Sequence, residues 1–228
     1  LMAAGDYQRA EETFDLVKTF PIQIAEWSTM YHVGNNWPHL AAWPWWQLHP
    51  DVAKYIQLLE ASFDILSSER PNLEQEPWMY ENAFEATSQD GGWHYFEFWP
   101  VQEKHCVLAP KTCNLLMSLG WDATDKLLIR KFGWSVVEPK KRIPMHSGQP
   151  VRINLQICVH GCEGAELHIN GSIFKYMQGV AIAWQDSWSH EIRNSGSEQR
   201  WVFQVSIAHP DYQLAWDRSA RDVEDMSE

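Results

Sequence analysis

Through the second half of the chain, apolar and polar positions alternate with a period of two. The sharpest case is Val151 to Val159, where Val151, Ile153, Leu155, Ile157 and Val159 alternate with Arg152, Asn154, Gln156 and Cys158. A period of two puts the two sets on opposite faces of an extended strand. The first face belongs to a core; the second is either solvated or the inside of a polar barrel. Similar runs, closed off by Gly, Asn, Ser or Asp, predict further strands near 129–137, 165–169, 172–176, 180–184, 188–193 and 200–207.

The first half reads differently. Val52, Tyr55, Ile56, Leu59, Phe63 and Leu66 recur at helical spacing, Pro50 and Asp51 supply a start and Arg70-Pro71 a stop, so one helix is predicted over 51–67. Looser periodicity predicts a helix over 7–19. A capping Thr112 and a terminal Gly120 predict a short one from Thr112 to Leu119. Trp93 to Trp99 reads as an aromatic strand, and residues 27–50 as an irregular, Trp-rich segment in which His32, His39 and His49 are surface or packing residues. Many short strands after a helical part predict a sandwich or barrel with the helices packed outside it.

Composition narrows the partners. Fourteen Trp require a large core or an apolar pocket. A formal net charge of -12 disfavours a nucleic-acid backbone or an anionic membrane as partner. No apolar run reaches the length of a membrane span, and the N-terminus lacks the pattern of a signal peptide, so a cytoplasmic protein is expected. Cys106, Cys113, Cys158 and Cys162 have no CxxC pairing, which predicts free thiols in a reducing compartment.

The candidate chemistry lies in the strands. His190 opens one predicted strand and Arg200 the next, so an imidazole and a guanidinium can face one cavity as metal ligand and carboxylate clamp. A second histidine, His146 in Pro144-Met-His-Ser-Gly148, also stands beside a turn. Two imidazoles meeting across a barrel mouth suit a first-row transition metal.

Read together, Ala109-Pro-Lys-Thr-Cys-Asn-Leu-Leu116, Ser135-Val-Val-Glu-Pro139, Pro144-Met-His-Ser-Gly148, Val151-Arg-Ile-Asn-Leu155, Asp186-Ser-Trp-Ser-His-Glu191 and the run from Arg200 to Pro210 resemble the aspartyl/asparaginyl beta-hydroxylase family over roughly 40–212. The resemblance implies a mainly β fold, a double-stranded beta-helix of jelly-roll or cupin-like type with flanking N-terminal helices. It implies one catalytic domain: a helical, Trp-rich part (1–92), the barrel core (93–212) and a polar tail (213–228).

It also implies an iron(II)- and 2-oxoglutarate-dependent dioxygenase that uses O2, hydroxylates an unactivated C–H bond and releases succinate and CO2. The family's metal histidines fall on His146 and His190, and the arginine and serine that hold the far carboxylate of 2-oxoglutarate fall on Arg200 and Ser135. Arg152 matches an arginine near the cosubstrate's other end, where Asn154 replaces the family's usual histidine; both are expected to contact the cosubstrate. Gly148 stands where a facial triad has its carboxylate. Asp186 matches a family acid behind the second histidine, a supporting role that competes with capping of a turn. The expected substrate is a small metabolite, amino-acid derivative, lipid or peptide. The other readings of the same barrel are a metal isomerase or lyase without 2-oxoglutarate, a non-catalytic organic-acid binder and, within the oxygenases, a halogenase.

Overall fold

The computed structural model describes residues 43–71, 92–97, 103–118, 129–148 and 152–210. The helix expected over 7–19, the first part of the Trp-rich segment and the polar tail lie outside them. Helices α1 (Pro50–Ala61), α2 (Phe63–Ser68), α3 (Glu103–Leu108) and α4 (Pro110–Ser118) accompany nine strands. These are β1 (Trp93–Glu97), β2 (Ile129–Val137), β3 (Arg142–His146), β4 (Arg152–His160), β5 (Ala165–Ile169), β6 (Ser172–Lys175), β7 (Ala181–Gln185), β8 (His190–Asn194) and β9 (Arg200–Ala208).

The strands form two antiparallel sheets, one ordered β1-β2-β9-β4-β7 and the other β3-β8-β5-β6. Non-sequential neighbours in both sheets give the double-stranded beta-helix. Asn170 and Gly171 join β5 to β6 with φ of 47° and 74°, the two left-handed residues that a tight hairpin of this twist requires.

The odd-numbered face of β4 is buried, as its alternation requires. Ile153, Leu155, Ile157 and Val159 pack with Val52, Ile56, Leu59 and Leu66 of the helices, so α1 and α2 cover the outside of the larger sheet. The even-numbered face is not solvated. Asn154 and Gln156 are 3% and 2% exposed, and Cys158 packs between the sheets with Val137, Val202, Trp184, Leu167 and Ile192. The open question about that face therefore resolves to the inside of the barrel.

The helices differ in detail from the expectation. The predicted 51–67 helix breaks at Ser62, whose hydroxyl donates to the Leu58 carbonyl at 2.8 Å and whose N–H also turns back to Leu58 and Leu59. A serine bonding its own helix in this way bends it. The N-cap of α1 is His49, with its Nδ1 accepting from the Asp51 N–H at 3.3 Å. Thr112 is not a cap: it is buried inside α4, and the Glu69 carboxylate accepts the N–H groups of Lys111 and Thr112 at 2.9 and 2.6 Å. A carboxylate brought from another helix suits the positive end of α4, and sequence spacing cannot reveal it. The short helix α3 was not expected.

The cysteines also depart from expectation. Cys106 pairs with Cys113 and Cys158 with Cys162 as disulfides, with Cα separations of 5.2 and 6.0 Å. Their spacings suit no zinc site, but the turn of α3 into α4 and the turn after β4 bring each pair within bridging range. The argument from free thiols to a reducing compartment therefore falls away. No helix among the described residues is long and apolar enough to cross a membrane.

Candidate metal and organic-acid site

His146 and His190 come together because of a register shift. On the edge of the smaller sheet, Ile143 pairs with Ile192, but His146, three residues on, pairs with His190, only two residues back. The extra residue falls at Pro144-Met145, where a proline removes a ladder donor and a bulge is tolerated. The bulge turns His146 so that its ring centroid lies 4.3 Å from that of His190.

Both rings are fixed in the same way. His146 Nδ1 lies 2.8 Å from the Pro144 carbonyl and His190 Nδ1 2.7 Å from the Trp188 carbonyl. A carbonyl only accepts, so Nδ1 carries the proton and the neutral ring keeps its lone pair on Nε2. That is the tautomer of a metal ligand with its ring held from behind. His190 is 2% exposed, and burial, reinforced by the nearby His146, pushes its pKa down to about 3 against weaker support from Asp186 and the Trp188 carbonyl. At neutral pH it is the uncharged base that a metal needs.

Asp186 fills the space beside Gly148. Its carboxylate accepts from Arg152 Nε at 2.8 Å, from Arg152 Nη2 and from Asn154 Nδ2 at 2.5 Å, and its Oδ1 lies 4.0 Å from His190 Nε2. Burial, the largest single influence, pushes the carboxyl up, but Arg152 together with His190 and His146 outweighs it and holds the carboxyl below the usual carboxylate range. Backbone bonds from Gly148 N to Asp186 O (2.7 Å) and Asp186 N to Arg152 O (3.0 Å) clamp the corner. A Cβ built on Gly148 would coincide with the Asp186 carboxylate and stand 2.7 Å from Arg152 Nη2. The side-chain space at this glycine is taken by the acid of the turn after β7. The Asp186 carboxylate is thus committed to the Arg152 and Asn154 side chains.

Deeper along the same face lies Arg200, with no exposed surface. Its Nη2 donates to Gln156 Oε1 at 2.5 Å, its guanidinium carbon sits 4.1 Å over the Tyr176 ring, and Nε and Nη1 are buried without a hydrogen-bond partner among the described residues. Among the described residues no carboxylate pairs with it. A buried guanidinium with two unanswered donor groups is costly alone and fits an organic carboxylate. Val137 is the register partner of Arg200, and Ser135, two residues away on the same face of β2, is 1% exposed. The Ser135 hydroxyl accepts the Trp93 indole N–H at 3.0 Å.

All seven sequence-predicted residues thus belong to the two facing sheets of one barrel: His146 and His190 on the smaller, Arg152, Asn154, Ser135 and Arg200 on the larger, and Asp186 in the turn after β7 beside His190, Arg152 and Asn154. Asn154 Oδ1 also accepts from the Ser206 hydroxyl at 2.7 Å. The sequence reading missed Tyr176, Trp93 and the role of Gln156. Only Gln156 carried a signal, its place in the β4 alternation. Among the described residues no three His, Cys, Asp or Glu side chains gather as a metal site. Two imidazoles leave most of an iron coordination sphere to non-protein donors, which a bidentate 2-oxo acid can supply. The residues fit both groups.

Comparison with known proteins agrees with this geometry. The chain is 25% identical to the human and the mouse aspartyl/asparaginyl beta-hydroxylase, each over 193 residues that cover 80% of this chain. It spans about a quarter of the length of these curated relatives, 24% and 25%. A 2OG-Fe(II) oxygenase family oxidoreductase from Burkholderia pseudomallei is 16% identical, with a TM-score of 0.45 over 65% of this chain and 78% of the other; that likeness adds nothing to the strand order above. The family model described as Aspartyl/Asparaginyl beta-hydroxylase matches residues 60–210, and the chain belongs to that family.

Proposed function

We propose that this protein is an iron(II)- and 2-oxoglutarate-dependent oxygenase that hydroxylates an unactivated C–H bond. The observation that carries the reading is one barrel with two imidazoles of tethered Nδ1 on its smaller sheet and, on the larger, a fully buried guanidinium whose Nε and Nη1 have no partner among the described residues. His146 and His190 would hold iron; Arg200 and Ser135 would take the far carboxylate of 2-oxoglutarate, with Arg152 and Asn154 near its other end. Bound together, the metal and cosubstrate supply oxidation by O2, with 2-oxoglutarate leaving as succinate and CO2.

The chain's own contribution is placement and exclusion of water. The carbonyls of Pro144 and Trp188 aim the two Nε2 atoms, and Asp186 braces Arg152 and Asn154. Trp184, 1% exposed with its ring 5.8 Å from that of His190, forms an apolar wall on the same side. The relatives' name favours an aspartyl or asparaginyl residue, in a peptide or a small derivative, as prime substrate, with oxygen added at its beta carbon.

Purified protein given iron(II), ascorbate and 2-oxoglutarate should release succinate, and should add one oxygen to a fitting peptide or metabolite, read by mass spectrometry. Iron binding without any 2-oxoglutarate consumption, whatever the substrate mixture, would refute the reading in favour of a metal isomerase or lyase.

A further inference from the structure

The support beneath Arg200 is assembled from uncharged groups. Gln156 Oε1 accepts from Arg200 Nη2 at 2.5 Å and from the Tyr176 hydroxyl at 2.6 Å. The Gln156 amide is kept from flipping because its Nε2 donates to Gln204 Oε1 at 2.8 Å. Tyr176, 4% exposed, adds its ring face at 4.1 Å. Burial raises the Tyr176 phenol's pKa, the opposing pull of Arg200 notwithstanding, so the phenol is uncharged at neutral pH. A glutamate in place of Gln156 would hold the guanidinium more firmly, yet it would also neutralise it.

We propose that Gln156 and Tyr176 are positioning residues that hold Arg200 through neutral contacts alone, reserving its charge for the second carboxylate of a dicarboxylate and so setting selectivity against 2-oxo monoacids. This rests on the 2-oxoglutarate reading above. A fully buried cation costs folding stability when its counter-charge is missing. The protein carries that cost in the unliganded state, and a dianion arriving with a carboxylate at Nε and Nη1 removes it. A 2-oxo monoacid of similar shape can still reach the metal end but leaves the charge unanswered.

The test uses the intact protein with manganese(II) in place of iron(II), and calorimetric binding of 2-oxoglutarate and of 2-oxobutyrate, which lacks the far carboxylate. Gln156→Glu should bind 2-oxoglutarate on the order of tenfold more weakly or worse, bind 2-oxobutyrate unchanged, and melt at a higher temperature than the wild type. Tyr176→Phe keeps the ring but loses the hydroxyl that helps aim Gln156, and should show a smaller loss confined to 2-oxoglutarate. Equal weakening of both acids, or a fall in melting temperature together with affinity in Gln156→Glu, marks a merely structural role and overturns the proposal. Should Gln156→Glu not fold, Tyr176→Phe alone decides: weakening of both acids alike, or of neither, overturns it. If the wild type binds no 2-oxoglutarate, the cosubstrate reading is what fails. The melting shift of Gln156→Glu still separates the two ideas, because a rise shows the reserved charge and no rise refutes it.

Discussion

Gly148 is the position where the structure makes the sharpest demand on sequence. The space its side chain would enter is already taken by Asp186, since a Cβ there would coincide with the Asp186 carboxylate and come within 2.7 Å of Arg152 Nη2. Gly148→Ala must therefore push a 2% exposed carboxylate off both of its partners, Arg152 and Asn154. Breaking a buried charged pair costs about 3–5 kcal/mol. For a domain of this size, each kcal/mol lowers the melting temperature by about 2–4 °C. The metal-free Gly148→Ala protein should then melt roughly 6–20 °C below the wild type by circular dichroism or scanning fluorimetry at pH 7.

Gly148→Asp should be worse, because the new carboxylate would enter against an ionised one. The choice that the sequence leaves open, between completing a facial triad and clashing, thus falls on the clash. In the double variant Gly148→Asp/Asp186→Gly, the carboxylate is moved from the turn after β7 to position 148 and the melting temperature should partly recover. A Gly148→Ala protein melting within about 2 °C of the wild type would show that Asp186 can leave at little cost, and the bracing role given to it would fall.

Replacing either His146 or His190 with Ala should leave the far-ultraviolet spectrum intact while iron(II) affinity collapses by isothermal titration; unchanged affinity in both would remove the metal assignment. Arg200→Lys should weaken 2-oxoglutarate binding and Arg200→Ala more so, by about 2–4 kcal/mol, because an ammonium does not reproduce a guanidinium fork. Arg200→Met should also lose binding, yet melt no lower than the wild type, because it removes a buried charge with no counter-ion; a large destabilisation would show a hidden partner. The pH dependence of the metal-free protein has a definite sign. With the folded pKa of His190 near 3 and an ordinary unfolded value of 6.5, the unfolded state binds more protons between these limits, so stability falls as pH drops through that window. Between pH 6.5 and 5 the loss should approach about 2 kcal/mol and be absent in His190→Asn, measured by urea midpoints. The lowered pKa of Asp186 adds a further loss only at more acid pH, below its ordinary value of 3.8.

The parts of the fold that were legible in the sequence are those fixed by local periodicity. The strict alternation in β4 specified both its extended conformation and its two faces, and the turn residues around β5 to β9 bounded those strands within a residue or two. What escaped was set by partners distant in sequence. The cap of α4 comes from Glu69, over forty residues away; the break at Ser62, by contrast, is a local bond of its hydroxyl to Leu58 that apolar periodicity does not register. The strand β3 was hidden because Pro144 reads as a breaker, although on a sheet edge with a bulge it is permitted. The disulfides depend on how turns bring cysteine backbones together, which spacing does not encode.

The candidate site shows the same division with a chemical consequence. Motif order located both histidines and Arg200, but it could not distinguish the two carboxyl-bearing positions near the metal end, one vacant and one filled. The filled one, Asp186, is four residues before His190 in the turn after β7, and its carboxylate occupies the space that a side chain at 148 would need. Asp186 Oδ1 stands 4.0 Å from His190 Nε2 and favours its charged form, but burial outweighs that support and leaves His190 neutral. At the other end of the face Arg200 is left with no such partner among the described residues, held by an amide and a phenol. One cation in the barrel is internally answered and the other, among the described residues, is not; on the function proposed above, this difference would orient a dicarboxylate with its far carboxylate at Arg200 and its 2-oxo acid end toward the two Nε2 atoms.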